Sequence, residues 1–376
     1  MGKNILHVVN IYFALSYFIG GQFKHFKSKG YNMNVACSPS PFLAEYSQNN
    51  GFDYIETPVN RSISLKDDLK TIKALGKFIK KKEIDIVVGH TPKGALLAMI
   101  AGWINRVPKR IYVRHGLVYE TSKGLKRFML KNVDRIASLC ATDIVCVSQS
   151  VLERSIFDKL APASKQLIWG EGTCNGIDTV GQYNPENIKR DELNELKAKY
   201  GISESDYIIG FSGRLVRDKG ISELVDAFEM LPKSQNYKLL LVGMFEERDS
   251  LPDITKQRIL NNPNIIYTGF INGGMEKYYA LMDMYVLPSY REGFPIGILE
   301  AQSMGLPVIT TTVTGCRDSI IDGVTGLFIS HSPQDIAQKI NIIRFDKAIN
   351  GQEGRRWVKE HFDNHIVWKE IEKLYQ

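Results

Sequence analysis

The chain has 376 residues, of which 44% are apolar and 24% charged, and its net charge is +7. This length favours two domains, each with its own core, and this composition excludes a disordered or fibrous protein. Five scattered cysteines with no CxxC pair argue against a disulfide framework and a zinc site, and they fit a reducing cytosol.

The positive charge is concentrated in the first half of the chain. Residues 1–180 contain 25 Lys and Arg against 14 Asp and Glu, whereas the remainder is slightly acidic. A single Lys-rich helix is most often a solvated face. An asymmetry of this size between the two halves instead favours a first half that binds a polyanion, either nucleic acid or an anionic membrane. The segment 123–140 sets Leu125 and Phe128 beside Lys126, and this amphipathic pattern favours the membrane.

The first predicted element is a strand, NILHVVN, at residues 4–10. His7 and Asn10 interrupt its apolar character and no small-residue cleavage site follows, so a strand is favoured over a signal peptide. No stretch of the chain approaches the ~20 apolar residues of a membrane-spanning helix.

Short apolar runs recur along the chain, with helical patterns between them. Continuous rather than alternating hydrophobicity is typical of parallel strands that are covered on both faces. Two such series predict two doubly wound α/β domains, with ligands beyond the carboxyl ends of the strands and a default site in the cleft between the sheets. The runs are NILHVVN, NMNVACS, FDYIETP, IDIVVGH, KRIYVRH and DIVCVSQ, then YIIGFSG, KLLLVG, NIIYTGF, MYVLPS, PVITT and GLFIS.

A polar, turn-rich segment at 178–204 is predicted to link the two domains. The domain limits are then 1–178 and 179–355. The segment 356–376 has an apolar face and is predicted to be one helix that packs across the domain junction.

Two features of the first half suggest a ligand. His115 directly follows the strand KRIYV, where ligand sites form, although a lone histidine is more often a hydrogen-bonded structural residue. Gly20 and Gly21 follow the first strand and indicate either an interrupted helix or a close approach of the backbone to a diphosphate.

In the second half, the loop GRLVRDKG follows the strand YIIGFS and opens a helix. It begins at Gly213 and carries Arg214 and Lys219. Two cations and the amides of a helix start can bind a diphosphate. Taken alone, the loop is explained at least as well by two solvated cations.

The stretch SYREGFPIGILEA follows the strand MYVLPS and sets seven residues between Glu292 and Glu300. Pro295 suits the first position of a helix, which predicts a helix start with the amides of Gly293 to Ile296. Glu300 then lies roughly 7–8 Å along the axis from Pro295. The two carboxylates can hold hydroxyl groups at the two ends of an elongated ligand, with an anion between them.

Two other interpretations of this carboxylate pair stay open. Glycosidase carboxylates lie ~5–9 Å apart, so distance alone does not exclude them. Alternatively, Glu292 is a solvated loop residue and Glu300 decorates a helix.

These motifs resemble a known family. GRLVRDKG, LLLVG, LPSYREGFPIGILEAQSMGLPVITTTVTGCRDSI and DGVTGLFI resemble the family 4 retaining glycosyltransferases, which have the GT-B fold of two Rossmann-like domains facing an interdomain cleft. HTPKGALLAMIAG, VRHGLVYETSKGLKRFML and GEGTCNGID resemble the CapM-like branch of that family, which makes capsule and O-antigen polysaccharide. The resemblance covers essentially the whole chain.

The resemblance implies a reaction. A sugar, either an N-acetylated amino sugar or its deoxy form, passes from a UDP-sugar to a polyprenyl-diphosphate-linked saccharide with retention of configuration. The nucleotide sugar is a substrate, so no cofactor is expected. Because no D-x-D pair occurs in a suitable place, cations and a helix dipole are expected to replace a metal. The expected location is cytoplasmic, on the inner face of the plasma membrane, without nucleic acid as a partner.

The resemblance also implies site residues. Glu292 would bind hydroxyls of the donor sugar, Glu300 the ribose, and His115 would stabilise an oxocarbenium-like transition state. Arg214 and Lys219 would bind the diphosphate. The catalytic set is then His115, Arg214, Lys219 and Glu292, and the donor-binding set is Gly213, Arg214, Lys219, Thr268, Gly269, Phe270, Glu292, Gly293, Phe294, Pro295, Ile296 and Glu300, with residues 268–270 framing the base.

The acceptor side would lie in the basic half, where cations would meet the acceptor's diphosphate. Glu120 is there either a base or a solvated carboxylate. The loop GEGTCNGID departs from the usual small-residue form, so Glu171 and Cys174 receive no role. The expected acceptor residues are Lys93, Tyr119, Glu120, Lys123 and Arg127.

Two other functions are compatible with the same scaffold. A GT-B-fold UDP-sugar epimerase would need further acids in the first domain and no acceptor surface, which the basic, apolar segment 123–140 disfavours. A non-catalytic nucleotide-sugar binder is disfavoured because Arg214, Lys219, Glu292 and Glu300 are all present.

Overall fold

The computed structural model describes residues 2–60 and 64–376. They form two compact units. Among these residues, unit 1 comprises those up to Gly176 together with His365–Gln376, and unit 2 comprises Ile177–Asn364.

Unit 1 contains a sheet of seven parallel strands. The six apolar runs predicted in the first half are all strands, and a seventh, of two residues, is too short to give an apolar run. The strands are β1 (Asn4–Val8), β2 (Asn32–Cys37), β3 (Asp53–Glu56), β4 (Ile86–His90), β5 (Lys109–Arg114), β6 (Asp143–Cys146) and β7 (Gln166–Leu167). Their order across the sheet is β3-β2-β1-β4-β5-β6-β7.

Helices connect these strands and cover the sheet. All five residues of β4 are buried, as continuous hydrophobicity requires of a strand with both faces covered. The helices are α1 (Phe13–Phe18), α2 (Gln22–Ser28), α3 (Leu43–Asn50), α4 (Leu65–Lys81), α5 (Pro92–Ile104), α6 (Gly124–Cys140) and α7 (Gln149–Phe157).

Unit 2 repeats this architecture with six parallel strands, in the order β10-β9-β8-β11-β12-β13. Its strands are the six predicted for the second half. They are β8 (Tyr207–Ser212), β9 (Tyr237–Val242), β10 (Ile265–Gly269), β11 (Met284–Leu287), β12 (Val308–Thr311) and β13 (Gly326–Ile329). Its helices are α8 (Arg190–Tyr200), α9 (Ile221–Glu229), α10 (Asp253–Asn261), α11 (Met275–Tyr279), α12 (Ile296–Ser303), α13 (Pro333–Asn341) and α14 (Gly351–His361).

Both sheets have a switch point, where successive strands begin to be added on the opposite side. It lies between β1 and β4 in unit 1 and between β8 and β11 in unit 2. Because the connections leave these neighbouring strands in opposite directions, a crevice opens beyond their carboxyl ends. The fold therefore places the loops after β1, β4, β8 and β11 where a ligand can bind.

The C-terminal segment differs from the prediction of one helix over 356–376. The chain forms α14 and then a separate helix, α15 (Asn364–Tyr375). Between them, the carbonyl of Phe362 accepts a hydrogen bond from the amide of Ile177, and the amide of Asn364 donates to the carbonyl of Ile177. These bonds take backbone groups that a continuous helix would need, so the helix ends at this point.

The final helix α15 packs on unit 1. The ring of Trp368 lies against Gly21, where a Cβ atom would be 2.8 Å from the indole. Tyr375 contacts Phe26 with a ring-centroid distance of 5.1 Å. Gly20 and Gly21 fall between α1 and α2, so the interpretation as a helix interruption is confirmed.

Candidate functional site

The loops that follow β8 and β11 lie against each other in unit 2. The strands are paired neighbours, so their carboxyl ends share one edge of the sheet. The contact requires Gly220, which has φ +69°, and a Cβ atom there would be 2.1 Å from the carbonyl oxygen of Pro288. Only glycine combines this left-handed backbone with so close an approach.

Hydrogen bonds fix the two loops together. The amide of Tyr290 donates to the carbonyl of Asp218 at 2.8 Å, and the guanidinium of Arg291 pairs with the Asp218 carboxylate at 2.7 Å. Neither Asp218 nor Arg291 was singled out from the sequence, although each is adjacent to a predicted site residue. Their contacts set the position of those neighbours.

The neighbours are Lys219 and Glu292, which form an ion pair. Ser289 donates a further hydrogen bond of 2.7 Å to the same carboxylate oxygen of Glu292. Both charged side chains are largely buried, with 19% and 11% of their surfaces exposed. A largely buried, hydrogen-bonded pair holds its geometry better than an exposed one, so the structure brings these two predicted residues together in a defined arrangement.

Arg214, by contrast, pairs with a different carboxylate. Its guanidinium lies 2.8 Å from Glu246, in the loop after β9, and half of its side chain is exposed. Glu246 was not predicted from the sequence, although its position three residues after the run KLLLVG was a usable signal. The two cations of the predicted diphosphate loop are therefore each neutralised by a carboxylate of their own.

Glu300 lies on α12 and takes part in a network of hydroxyl groups. Tyr279 donates to its carboxylate at 2.8 Å, and the Tyr279 hydroxyl also lies 2.7 Å from that of Ser212, the last residue of β8. Burial raises the pKa of Glu300 above its ordinary value, although hydrogen bonds from Tyr183 and Tyr279 act in the opposite direction. Glu300 is thus an oriented hydrogen-bond acceptor and not a solvated helix residue.

The segment between the two acids supplies backbone groups. The helix α12 begins at Ile296, with Pro295 as its N-cap, one position later than predicted. Phe294 is buried and packs against Phe362, so its side chain serves the core. Since a helix start leaves its first amides without acceptors inside the helix, the amide of Ile296 can face an anion, next to the backbone of Gly293 and Phe294.

The predicted base-framing residues lie at the end of β10, in the same sheet. The hydroxyl of Thr268 bonds to the carbonyl of Gly269 at 2.9 Å, and that carbonyl also accepts from the amide of Gly243 after β9. About half of the Phe270 surface is exposed. Residues 268–270 therefore border the same carboxyl edge as the loops after β8 and β9.

In unit 1, His115 is not the lone histidine that the sequence suggested. It lies directly after β5, and its Nε2 is 2.9 Å from Nδ1 of His90. His90 in turn bonds through Nε2 to Nδ1 of His7 at 3.0 Å. Burial lowers the pKa of His115 to about 3, so the ring is neutral at physiological pH.

Two of the five expected acceptor residues are buried and have internal partners. Lys93 is buried and paired with Asp68. Tyr119 is also buried, and its hydroxyl donates to Asp158 at 2.7 Å, a carboxylate that Lys131 pairs with as well. These side chains hold unit 1 together, whereas Lys123 and Glu120 are at least partly exposed.

The helix α6 exposes an apolar strip beside its cations. Its most exposed apolar side chains are Leu125 and Leu139, each with 73% of its surface accessible, followed by Phe128 at 63%. Large apolar side chains that are exposed together indicate a surface for interaction. Across residues 2–60 and 64–376, no helix is both long and apolar enough to span a bilayer.

Sequence comparison matches both halves of the chain to families of known proteins. Residues 6–148 match the model described as glycosyl transferase 4-like, and residues 193–359 match that of glycosyl transferases group 1.

Relatives that align over most of the chain and solved structures agree with these family matches. The chain is 33% identical to the capsular polysaccharide biosynthesis glycosyltransferase CapM of Staphylococcus aureus, over 99% of this chain and 97% of the relative. It is 26% identical to the UDP-Gal:alpha-D-GlcNAc-diphosphoundecaprenol alpha-1,3-galactosyltransferase of Escherichia coli, over 88% and 84%. Its fold is that of Anabaena HepE, solved with UDP-glucose, with a TM-score of 0.78, 19% identity and 99% coverage of both chains.

Proposed function

Because the chain belongs to the glycosyltransferases with the GT-B fold, we propose that it transfers a sugar from a UDP-sugar to a polyprenyl-diphosphate-linked saccharide in capsule or O-antigen synthesis. The E. coli relative has a UDP-sugar donor and a diphosphoundecaprenol acceptor in its name. The sugar is an N-acetylated amino sugar or its deoxy form, as the resemblance to the CapM-like branch implies.

The observation that carries this proposal is the Lys219–Glu292 pair beyond the carboxyl ends of β8 and β11. A UDP-sugar has a diphosphate and, beside it, a sugar with hydroxyl groups. The diphosphate is a partner for the Lys219 ammonium and for Arg214, and the hydroxyls are donors to Glu292. Glu300, held by Tyr279, then accepts from the ribose.

The proposed reaction keeps the anomeric configuration and uses no protein nucleophile. The bond between the anomeric carbon and the β-phosphate oxygen breaks, and the acceptor hydroxyl oxygen bonds to that carbon on the same face. The hydroxyl proton passes to the departing phosphate oxygen. Arg214 and Lys219 stabilise the charge on the leaving UDP, and His115 hydrogen-bonds the donor sugar.

Transfer is proposed to proceed without a metal ion or a cofactor. Two cations and the start of α12 at Ile296 supply positive charge where the diphosphate would lie. Such groups can perform the charge neutralisation for which other enzymes use Mg²⁺.

The enzyme is proposed to work in the cytoplasm, on the inner face of the plasma membrane. The exposed apolar strip of α6, with Lys123 and Lys126 beside it, has the composition of a helix that lies in a membrane surface. Anionic lipids would attract the basic first half, at roughly 1 kcal/mol per cation near the surface. The acceptor is expected in that same membrane.

A transfer assay tests the proposal. Purified protein is incubated with UDP-sugars or GDP-sugars and with an undecaprenyl-diphosphate-linked saccharide, in the presence of EDTA, and elongated lipid is detected by mass spectrometry. Elongation from a UDP-sugar with retained configuration is expected. Product formed only after metal is added would contradict metal independence, and an epimerised UDP-sugar formed without acceptor would replace the transferase by an epimerase. Nucleotide-sugar binding without either product would indicate a non-catalytic binder.

A further inference from the structure

Three histidines form a continuous hydrogen-bonded chain across the switch point of unit 1. His7 belongs to β1, His90 is the last residue of β4, and His115 directly follows β5. These strands are successive neighbours in the sheet, so parallel pairing brings the three side chains to one edge. The nitrogen distances are 3.0 Å between His7 and His90, and 2.9 Å between His90 and His115.

The three histidines lie in apolar and aromatic surroundings. His7 and His90 are almost fully buried, and Phe18 stacks on His115 with a ring-centroid distance of 3.7 Å. Phe23 packs edge-on against the His7 ring. Burial lowers the pKa of His7 to about 3 and that of His90 well below its ordinary value, so all three rings are neutral near pH 7.

Neutrality leaves only two ways to place the protons. A neutral imidazole has one N–H donor and one acceptor nitrogen. If His90 carries its proton on Nδ1, it donates to His115 and must accept from His7, so all three rings are protonated on Nδ1. If His90 carries its proton on Nε2, both bonds reverse and all three rings are protonated on Nε2. The tautomers of the three rings are therefore coupled.

His7, the buried end of the histidine chain, distinguishes the two proton arrangements. Nε2 of His7 is buried and has no hydrogen-bond partner among the described residues. With protons on Nδ1 throughout, this atom is an unpaired acceptor, whereas the other arrangement makes it an unpaired donor. Among buried backbone groups, orphaned N–H donors are rarer in native structures than under-satisfied acceptors, and by the same preference protonation on Nδ1 is favoured for these rings.

The backbone beside His90 is strained. Thr91 has φ +62° and ψ +153°, a region that a β-branched residue rarely occupies. Its hydroxyl accepts a hydrogen bond from the amide of Gly94 at the start of α5. Strain of this kind persists only where the surroundings hold it in place, and here it adjoins the central ring of the chain.

We propose that His7 and His90 are positioning residues that lock His115 in the neutral tautomer protonated on Nδ1. His115 then offers an N–H donor to an oxygen of the bound sugar and has no free lone pair with which to act as a base. This inference rests on the proposed role of His115 in the transferase. It goes beyond that role because it assigns the protonation state and the two residues that set it.

Nuclear magnetic resonance tests the lock without substrate. In ¹⁵N-histidine-labelled full-length protein at pH 7, long-range ¹H–¹⁵N correlations show which nitrogen of each ring is protonated, and His115→Gln assigns the outer ring. His7, His90 and His115 are all expected to be protonated on Nδ1. A His115 that is charged, protonated on Nε2 or exchanging between tautomers would overturn the proposal. Because this measurement uses no sugar donor, its failure would not be confused with failure of the transferase assay.

Substitutions of His7 supply a second readout. His7→Asn keeps a side-chain amide that can donate to His90, whereas His7→Leu removes the donor. We expect His7→Leu to lower kcat about 10-fold with little change in KM, by analogy with metal-ligating histidines, where loss of the outer hydrogen-bond partner costs about 10–100-fold. His7→Asn should restore most of the activity. A control, His361→Phe on α14, should leave kcat unchanged. Equal loss in the Asn and Leu variants would indicate a packing role and overturn the lock.

Discussion

The Lys219 ammonium is paired with the Glu292 carboxylate, although 73 positions separate them in the chain. The pair forms because Lys219 follows β8 and Glu292 follows β11, and these strands are neighbours at the switch point of their sheet. Without a ligand, each charge neutralises the other. A nucleotide sugar can divide the pair, because its diphosphate attracts the lysine and its hydroxyls donate to the glutamate.

Lys219→Ala and Glu292→Gln should each lower kcat/KM by about 100-fold or more, because each removes a charged group next to the reacting bond. Initial rates with a saturating lipid-linked acceptor measure the loss, and thermal unfolding followed by circular dichroism verifies that the fold survives. Lys256→Ala, which removes a partly exposed cation on α10 paired with Asp253, is the matched control and should keep full activity. A fully active Glu292→Gln variant would remove that residue from the site.

Glu246 should compete with the nucleotide for Arg214. Glu246→Gln is expected to tighten UDP binding, by no more than about fivefold because exposed ion pairs contribute only ~0–1 kcal/mol. Arg214→Gln should weaken it. Isothermal titration calorimetry with UDP measures both. Weaker binding in Glu246→Gln would mean that this carboxylate orients Arg214 for the ligand and does not compete with it.

Donor binding should depend on the ionisation of Glu300. Because burial raises the pKa of this carboxyl, it becomes protonated at a higher pH than an ordinary glutamate. Protonation removes an acceptor for the ribose, so KM for the UDP-sugar should rise as the pH falls through this raised value. The Glu300→Gln variant should show a high KM without that pH dependence, whereas Glu229→Gln, on the exposed part of α9, should behave like the wild type. A wild-type KM that stays constant over this range would contradict the role of Glu300.

Two glycines with similar backbone conformations should respond differently to substitution. Gly220 and Gly201 have φ angles of +69° and +62°, but only Gly220 has an atom, the Pro288 oxygen, in the way of a Cβ. Gly201→Ala should cost about 1 kcal/mol for its left-handed backbone and leave activity unchanged. Gly220→Ala should cost about 3 kcal/mol or more, since the loop must also shift, and should reduce transfer. Urea denaturation and initial rates measure the two effects, and equal behaviour of the two variants would contradict the loop contact.

The apolar strip of α6 should bind anionic membranes. Replacing Leu125 and Phe128 together by serine is expected to reduce co-sedimentation with phosphatidylglycerol vesicles at least about 10-fold, because each buried apolar side chain contributes ~1.5–3 kcal/mol. Phe345→Ser, an exposed apolar residue of unit 2, is the control. Wild-type protein that stays in the supernatant with these vesicles would contradict a peripheral membrane location.

Much of the fold follows from local patterns. The twelve predicted runs are strands because β-branched, continuously apolar segments are stable only when both faces of the sheet are covered. The single helix predicted over 356–376 was wrong, because its interruption depends on hydrogen bonds to Ile177, almost two hundred positions away. A helical period carries no information about such distant backbone partners.

The sequence by itself determined the two doubly wound sheets, the loops after strands that bear Arg214, Lys219 and Glu292, and the helix that bears Glu300. Tertiary structure alone decided how these groups are paired, since Arg214 forms an ion pair with Glu246 and Lys219 forms one with Glu292. It also decided that His115 belongs to a chain with His7 and His90. The physical reason is that hydrophobic periodicity is read over a few residues, whereas charge pairing and tautomers depend on atoms that only strand order brings within 3 Å.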